Sequence, residues 1–421
     1  MNLNWFLSAT VRQATHMWKH VHKLVCAQRD LLSAEALAKI DESIAKVRGA
    51  LRAKANKAEL ESRMVELEQV ANTWLRPYPQ AAIRENVEVL LVAIAVAMAI
   101  RTFIAQPFKI PTGSMQPTLF GITSNPDFSR SESYRRGDGS FAPEPDFEIP
   151  NLLKRFFIFW FTGIGYNRIV AEADGELAPG TQDNPTKFLL FNLKQDIVIG
   201  GVKHTAWFPP EKFLHRAGLI DPADRVTSRT FKKGQEVVKL KSISGDHLFV
   251  DRISYNFRRP RRGEIIVFET KNIPLMADSQ LGQFYIKRLV GLGGEQIRIG
   301  DDRHLVISGR RLDSSTPHFE GVYSFDPGQP PRDSHFSGHV NDTVASRLGY
   351  YYQPSLFPTQ TNVVTLPPDH YMVMGDNTVN SADSRSWGSF PRDNVIGRSF
   401  FVYWPIGAQE NRASRFGWGN R

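Results

Sequence analysis

An unbroken apolar run of twelve residues, Val89 to Ile100, restricts the fold of this chain more than any other feature. Its continuation to the residue before Pro107 gives a segment of about 20 residues, the length that crosses a bilayer as a helix. We predict a transmembrane helix over residues 87–106, in which Arg101 can extend its guanidinium to the interface. A buried helix of a soluble protein is the alternative.

The first 86 residues have helical periodicity. Apolar side chains recur in steps of three and four over residues 37–51 and again, in shifted phase, over residues 60–74. This favours a helical hairpin; one long helix or a coiled-coil dimer is also compatible with it. Residues 1–29 fit either a basic amphipathic helix on a membrane surface or a helix that packs on its neighbour. They do not read as a secretory signal peptide, because no apolar core follows a charged start.

After Pro107 the pattern changes to short β-like runs separated by turn residues, so residues 107–421 are predicted to be mainly β. The predicted runs are Asp246–Phe257, Glu264–Glu269, Gln283–Val290, Glu295–Ile299, His304–Ser308, His370–Gly375 and Val395–Trp404. Residues 124–150 are predicted to be an exposed loop. The aromatic run Phe156–Phe161 is predicted to be a buried strand, with a patch in contact with lipid headgroups as the alternative.

Composition excludes several classes of site. The single cysteine, Cys26, excludes an intrachain disulfide and a zinc site built on several thiolates. The motifs of P-loop nucleotide sites and helical zinc proteases are missing from the sequence. A net charge of +9 suits an anionic partner, either nucleic acid or a membrane surface.

Two segments carry candidate catalytic side chains. The stretch 108–119 has two prolines and a glycine, a composition able to display Ser114 in a sharp turn. Further on, strand alternation places Lys287 on the same face as Tyr285 and Leu289. Desolvation there would lower the pKa of the amine, which could then accept a hydroxyl proton; a lysine on a half-exposed strand is the simpler alternative. The polar loop 374–388 has hydroxyls and carboxylates suited to orienting such a base.

Together these segments resemble bacterial type I signal peptidase, a membrane-anchored serine/lysine endopeptidase. Five blocks after the apolar segment occur in the order of that family. They are Ile110–Leu119, Gly245-Asp246, Arg262–Phe268, Tyr285–Arg288 with Gly291, and Gly375–Asn377 continued by Ser381–Arg385 to Gly388. The resemblance implies a mainly β catalytic domain of that type over residues 107–421. It includes a large insertion at about 122–243 and a variable β-region at about 301–365.

The resemblance implies a role for each matching residue. Ser114 would be the nucleophile, Lys287 the general base, and Ser381 would hold the lysine amine by a hydrogen bond. The Ser114 N–H and the Thr112 hydroxyl would form the oxyanion hole. Four charged residues would brace the site as ion pairs, and five apolar residues would line shallow pockets for small side chains. The ion pairs are Arg288 with Asp376 and Asp383 with Arg385. The pocket residues are Ile110, Pro111, Leu119, Tyr285 and Ile286.

The resemblance also implies the reaction and its setting. The substrates would be signal peptides of secreted preproteins, cut after Ala-x-Ala-like sites, and neither a metal nor an organic cofactor is expected. The partners would be the lipid bilayer and the protein-export machinery. The protein would lie in the bacterial plasma (inner) membrane with residues 1–86 in the cytoplasm and the catalytic domain periplasmic or extracellular.

Some positions depart from the family pattern. Thr378-Val379 replaces the usual Arg-Asp after Asn377, which puts bracing by those two charges in doubt. The insertion could be an added domain, a lipid-contacting lobe or a docking surface.

Two rival functions are also compatible with the sequence: a related protease of the self-cleaving repressor type, and a non-enzymatic membrane protein whose insertion binds a partner. The apolar segment just before Ser114 argues against the first, and we expect no nucleic-acid partner.

Overall fold

The structure is a computed structural model. It describes residues 8–76, 81–129, 147–188, 191–221, 223–227, 229–331, 337–350, 355–410 and 412–417. Most of the loop predicted at 124–150 lies outside the described residues. The chain divides into two compact units, Met1–Val96 and Ala97–Arg421.

The first unit contains three packed helices, α1 (Ala9–Gln28), α2 (Ala34–Arg52) and α3 (Lys57–Trp74). Each begins after a polar residue whose side chain accepts a hydrogen bond from the first turn: Ser8, Ser33 and Asn56. Apolar side chains from all three helices form one core. Helices α2 and α3 make the hairpin, and α1 packs its buried side against them, as in the second of the two interpretations of residues 1–29.

The apolar segment forms helix α4 (Ala81–Ala99), extended by a π-helical turn, Ile100–Ile104. Among the described residues, one helix, Ile83–Ile104, is long and apolar enough to cross a membrane. Its side chains are exposed along its length. It ends two residues before the predicted limit of 106, because Ala105 adopts an extended conformation and pairs with Asp251.

A seven-stranded antiparallel sheet is the centre of the second unit. Its strand order is β1-β10-β19-β11-β12-β17-β18. The strands are β1 (Ala105–Lys109), β10 (His247–Asp251), β11 (Ile265–Glu269), β12 (Phe284–Leu292), β17 (His370–Met374), β18 (Phe390–Pro391) and β19 (Val395–Trp404). All but β1 and β18 overlap runs predicted from the sequence. Residues 254–257 do not extend the predicted strand, because the Asp251 carboxylate accepts hydrogen bonds from two following N–H groups and starts helix α7 (Ser254–Phe257) instead.

A smaller four-stranded sheet is formed by the variable region together with the residues just before it. Its order is β15-β14-β13-β16, and its side chains pack against residues of β12 and β17. The strands are β13 (Gln296–Ile299), β14 (Leu305–Ile307), β15 (Arg310–Arg311) and β16 (Val364–Thr365). Helix α8 (Asp342–Arg347) lies in the variable region, whereas helix α9 (Ser384–Trp387) lies in the loop after β17.

The insertion folds into a β lobe with a hydrophobic core of its own, which fits an added domain. It contains β2 (Thr123–Asn125), β3 (Ile164–Val170), β4 (Gly175–Glu176), β5 (Thr186–Phe188), β6 (Phe191–Ile199), β7 (Val202–Trp207), β8 (Thr230–Phe231) and β9 (Glu236–Ile243). Its helices are α5 (Leu152–Thr162) and α6 (Phe213–Arg216).

The strand predicted for Phe156–Phe161 is wrong, because this aromatic run lies in helix α5. The Asn151 side chain accepts a hydrogen bond from Lys154 N–H and caps the start of the helix. At the other end Gly163, at φ 70°, adopts the left-handed conformation that ends a helix. Four of the six side chains of this run are also exposed, whereas the predicted strand was buried; Ile158 and Phe159 are half-buried.

Candidate active site

Ser114 lies in a tight turn, Gly113–Met115, which follows the edge strand β1 after residues 110–112. The loop that follows β17 contacts this turn, because the Ser114 carbonyl accepts a hydrogen bond from Asn377 N–H at 3.1 Å. Gly375 makes this approach possible, since a Cβ at that position would lie 2.4 Å from the Ser114 carbonyl oxygen.

Lys287 contacts Ser114 directly. Its Nζ lies 2.7 Å from Ser114 Oγ and 3.2 Å from the Ile286 carbonyl oxygen. Strand β12 aims the side chain across the sheet at the turn, although 173 residues separate the two in sequence. Both side chains are 5% exposed. The structure therefore brings together the two residues that the sequence singled out as nucleophile and base.

Burial changes the chemistry of this lysine. Removal from water disfavours the ammonium form and lowers the pKa of Lys287 to about 8, although the Asp383 and Asp376 carboxylates oppose the shift. A lysine on a half-exposed strand would keep its usual pKa, so this alternative does not describe Lys287. An amine with such a pKa is neutral in part of the population near neutral pH and can accept a hydroxyl proton.

One buried ion pair joins β12 to the loop after β17. Arg288 makes a bidentate contact with the Asp376 carboxylate, at 2.7 and 2.6 Å, and both residues are almost completely buried. The guanidinium also donates to the carbonyl oxygens of Gly263 and His318, and its fifth hydrogen points to the Thr118 hydroxyl oxygen at 3.4 Å. Such a fully hydrogen-bonded pair fixes the residue next to Lys287.

A second buried pair shapes the loop itself. Arg385 donates to both oxygens of Asp383 at 2.9 Å, and neither residue is exposed. The Asp383 carboxylate also accepts from Gly375 N–H at 3.0 Å. Burial raises the pKa of Asp383, but the Arg385 guanidinium outweighs it and holds the pKa below its ordinary value.

Ser381 and Thr112 also lie at the site. The Ser381 hydroxyl is buried beside Gly375 and, in the part of the chain that the structure describes, makes no hydrogen bond with the Lys287 amine, so the bond implied by the resemblance is not formed here. Thr112 is exposed at the start of the Ser114 turn, and its side chain does not cap that turn. Its hydroxyl is therefore accessible to a substrate.

The five predicted pocket residues differ in accessibility. Pro111 is exposed, and Tyr285 and Ile286 are half-buried. Ile110 and Leu119 are buried, at 2% and 0% exposed, in a core shared with β10 and β11. These two residues can support a pocket from below, but in this structure they offer no surface of their own.

Sequence reasoning did not assign roles to three polar side chains at the site. The Thr118 hydroxyl donates to Asp376 at 2.5 Å, and Asn377 Nδ2 donates to the Gly113 carbonyl at 3.0 Å. The Thr378 hydroxyl accepts from Val340 N–H at 3.0 Å. Thr118 and Asn377 belong to the quoted motifs, which is a signal that could have revealed them; nothing in the sequence pointed to Val340 as a partner.

The second unit is thus a mainly β domain that holds a serine hydroxyl 2.7 Å from a buried lysine amine, an arrangement compatible with a serine hydrolase. The chain belongs to the signal peptidase family, peptidase S26, whose family model matches residues 83–156 and 236–404, more than half of the chain.

Individual relatives match over shorter stretches. A signal peptidase I of Leptolyngbya laminosa is 32% identical over 161 residues, which are 38% of this chain and 61% of the relative. A probable signal peptidase I-2 of Synechocystis is 30% identical over 161 residues, 38% of this chain and 56% of the relative. This chain thus covers less than two thirds of the length of these curated relatives. The crystal structure of a signal peptidase I from Enterococcus faecalis V583 is 27% identical, with a TM-score of 0.20 over 34% of this chain and 97% of that one.

Proposed function

We propose that this protein is a membrane-anchored serine endopeptidase that removes signal peptides from exported preproteins, with Ser114 as nucleophile and Lys287 as general base. The observation that carries the proposal is the 2.7 Å contact between Ser114 Oγ and the buried Lys287 Nζ. Family membership supports the same reaction class.

The reaction follows from this contact. The neutral Lys287 amine removes the Ser114 proton as the oxygen attacks the scissile carbonyl, and the resulting ammonium then protonates the leaving amine. A water molecule, deprotonated by the same amine, resolves the acyl-enzyme and releases the signal peptide. The Ser114 N–H and the exposed Thr112 hydroxyl would donate to the oxyanion.

The strands beside the site offer a place for an extended substrate. Strand β1 is at the edge of the sheet, and it leads into the Ser114 turn. Strand β12 pairs with β11 over residues 284–288 but with β17 only from Arg288 onward. In the part of the chain that the structure describes, one side of residues 284–287 is therefore free of a strand partner. A peptide could hydrogen-bond to both edges, with pockets beside Pro111, Tyr285 and Ile286 selecting small side chains.

The proposed location rests on the apolar helix. The apolar helix, which the structure extends over Ile83–Ile104, would anchor the chain in the plasma membrane, with the N-terminal helical region cytoplasmic and the catalytic domain, residues 107–421, on the far side, where signal peptides emerge. The export machinery would be the partner that delivers the substrate.

The test is cleavage of a preprotein with an Ala-x-Ala site by the detergent-solubilised full chain. We expect the wild type to release the mature protein, and Ser114→Ala and Lys287→Ala to abolish cleavage while their folding, measured by circular dichroism, is unchanged. Lys271→Ala, which alters an exposed lysine paired with Glu269, is the matched control and should cleave normally. Cleavage by Lys287→Ala would refute the general base, and a folded but inactive wild type would favour the non-enzymatic alternative.

A further inference from the structure

Helix α5 of the insertion presents an apolar surface that nothing in the described residues covers. Six large apolar side chains on it are 52–81% exposed. They are Leu152, Leu153, Phe156, Phe157, Trp160 and Phe161. At about 100° per residue these positions fill one half of the helix circumference, and no charged side chain lies within that half. The other half contains Lys154, Arg155, Ile158, Phe159 and Thr162.

This exposure is not the result of a loosely held helix. The helix is capped at both ends, and its last turn is fixed to the C-terminal segment. Trp404 Nε1 donates to the Trp160 carbonyl at 2.7 Å, and Gly407 N–H donates to the Phe161 carbonyl at 2.7 Å. Gln409 donates to the Thr162 carbonyl at 3.0 Å. The backbone is therefore bound to the rest of the second unit while the apolar side chains point away from it.

A series of aromatic contacts connects this helix to the strand that follows the apolar segment. In β10, His247 pairs with Lys109 and Phe249 pairs with Pro107, both residues of β1. The rings of Phe249 and His247 contact Tyr403, at centroid distances of 4.6 and 5.9 Å. His247 also contacts Trp404 at 4.7 Å, and Trp404 contacts Phe159 of the helix at 5.6 Å.

The apolar segment ends at Ile104, and β1 begins at the next residue. Five residues of strand cover only about 13 Å, so the aromatic surface begins close to the point where the chain would leave the bilayer. Large exposed apolar surfaces on soluble faces are rare unless something covers them. Tryptophan favours the headgroup region, and tryptophan, phenylalanine and leucine form the apolar face of helices that lie in the membrane interface. A basic flank, the exposed Lys154, suits anionic lipid.

We propose that helix α5 lies in the membrane interface, with the half that carries Phe157 and Phe161 among the acyl chains. It would be a second attachment of the second unit to the bilayer, in addition to the anchor helix. Because this attachment is formed by the insertion, it is independent of the proposed protease activity. Its consequence is orientation: two attachments restrict rotation of the domain about the single chain at residues 104–105.

The test uses nitroxide labels on the full chain reconstituted in vesicles of equimolar phosphatidylcholine and phosphatidylglycerol. Cys26 is the only cysteine, so Cys26→Ser provides a background in which Phe157→Cys, Phe161→Cys or Val363→Cys can be labelled singly. Val363 is the matched control, because it is 51% exposed, close to the 52% of Phe157, but lies in the variable region. Frequent collision of a label with oxygen indicates that the label lies in lipid. Frequent collision with a water-soluble nickel chelate indicates that the label lies in water.

We expect labels at 157 and 161 to collide several-fold less with the nickel chelate than the label at 363, and more with oxygen. Labels at 157 and 161 that are as accessible to the chelate as the label at 363 would overturn the proposal. Shielding that appears only at high protein density, with spin–spin broadening, would also overturn it, because it would show self-association. Agreement between the two neighbouring positions guards against a local effect of one label.

Discussion

The hydroxyl of Thr378 accepts a hydrogen bond from Nη1 of Arg385 at 2.6 Å, and its carbonyl oxygen accepts a second from Nη2 at 2.8 Å. Thr378 stands where the family pattern has an arginine. The same hydroxyl accepts from Val340 N–H, so it links the variable region to the buried Asp383–Arg385 pair. The pair therefore forms although the expected charges at 378 and 379 are missing.

Removal of this hydroxyl should loosen the loop around the site. Thr378→Ala removes the acceptor of a 2.6 Å hydrogen bond from Arg385 and of the hydrogen bond from Val340 N–H, which costs about 1–3 kcal/mol in the free energy of unfolding. Thr378→Ser retains the hydroxyl and should recover most of that loss. Urea denaturation of the three proteins measures the difference; an alanine variant as stable as the wild type would show that the hydroxyl is dispensable.

The rate of cleavage should depend on the protonation of Lys287. The neutral amine is the active form, and burial lowers the pKa of Lys287 to about 8. We therefore expect kcat/KM to rise about tenfold per pH unit below that value and to level off above it. Initial rates on a fluorogenic peptide substrate, measured in buffers of constant ionic strength, would show the inflection. A flat profile across this range would argue against lysine as the base.

The lowered pKa of Lys287 also predicts that its buried ammonium group destabilises the folded protein. The pKa of Lys287 is lower in the folded protein than its ordinary value of 10.5, so the penalty is present in full below about pH 8 and disappears as the pH rises towards 10.5. Lys287→Met should raise the free energy of unfolding at neutral pH by about 1–3 kcal/mol. The gain should shrink in alkaline buffer. Chemical denaturation at two pH values tests this; a destabilised variant at neutral pH would contradict it.

The buried Asp383–Arg385 pair should contribute far more than exposed pairs do. Asp383→Asn removes the carboxylate that pairs with the buried Arg385 charge, and we expect a loss of about 3–5 kcal/mol in the free energy of unfolding. Glu236→Gln is the control, since it breaks the more exposed Arg168–Glu236 pair and should change stability by less than about 1 kcal/mol. Equal losses in the two variants would mean that burial does not matter here.

Gly375 should tolerate no side chain. A Cβ there would lie 2.3 Å from the Ser381 hydroxyl and 2.4 Å from the Ser114 carbonyl. Gly375→Ala must therefore displace the Ser114 turn, and we expect cleavage to fall at least about 100-fold, since small displacements at reacting groups have effects of that size. Gly49→Ala, on an open face of α2, is the control and should stabilise its helix. Normal cleavage by Gly375→Ala would show that the turn can adjust.

The sequence alone determined the features that depend on neighbouring residues. The apolar run specified a helix of membrane-spanning length, the period of three and four specified α2 and α3, and short β-like runs between turn residues specified the central strands β11, β12, β17 and β19. The ordered motifs also identified Ser114 and Lys287. Each of these signals is carried by a side-chain period or a short motif, so it can be recognised without knowing what packs against it.

Only the tertiary structure decided what depends on contacts between distant segments. The distance from Ser114 to Lys287, the burial that lowers the lysine pKa, and the link from Val340 to Thr378 each join residues far apart in sequence. The run Phe156–Phe161 was misjudged for a related reason. Aromatic composition favours a buried strand, but the capping residues at 151 and 163 and the anchoring to residues 404–409 favour an exposed helix. The strand propensity of a short segment contributes little free energy, and packing between distant segments overrides it.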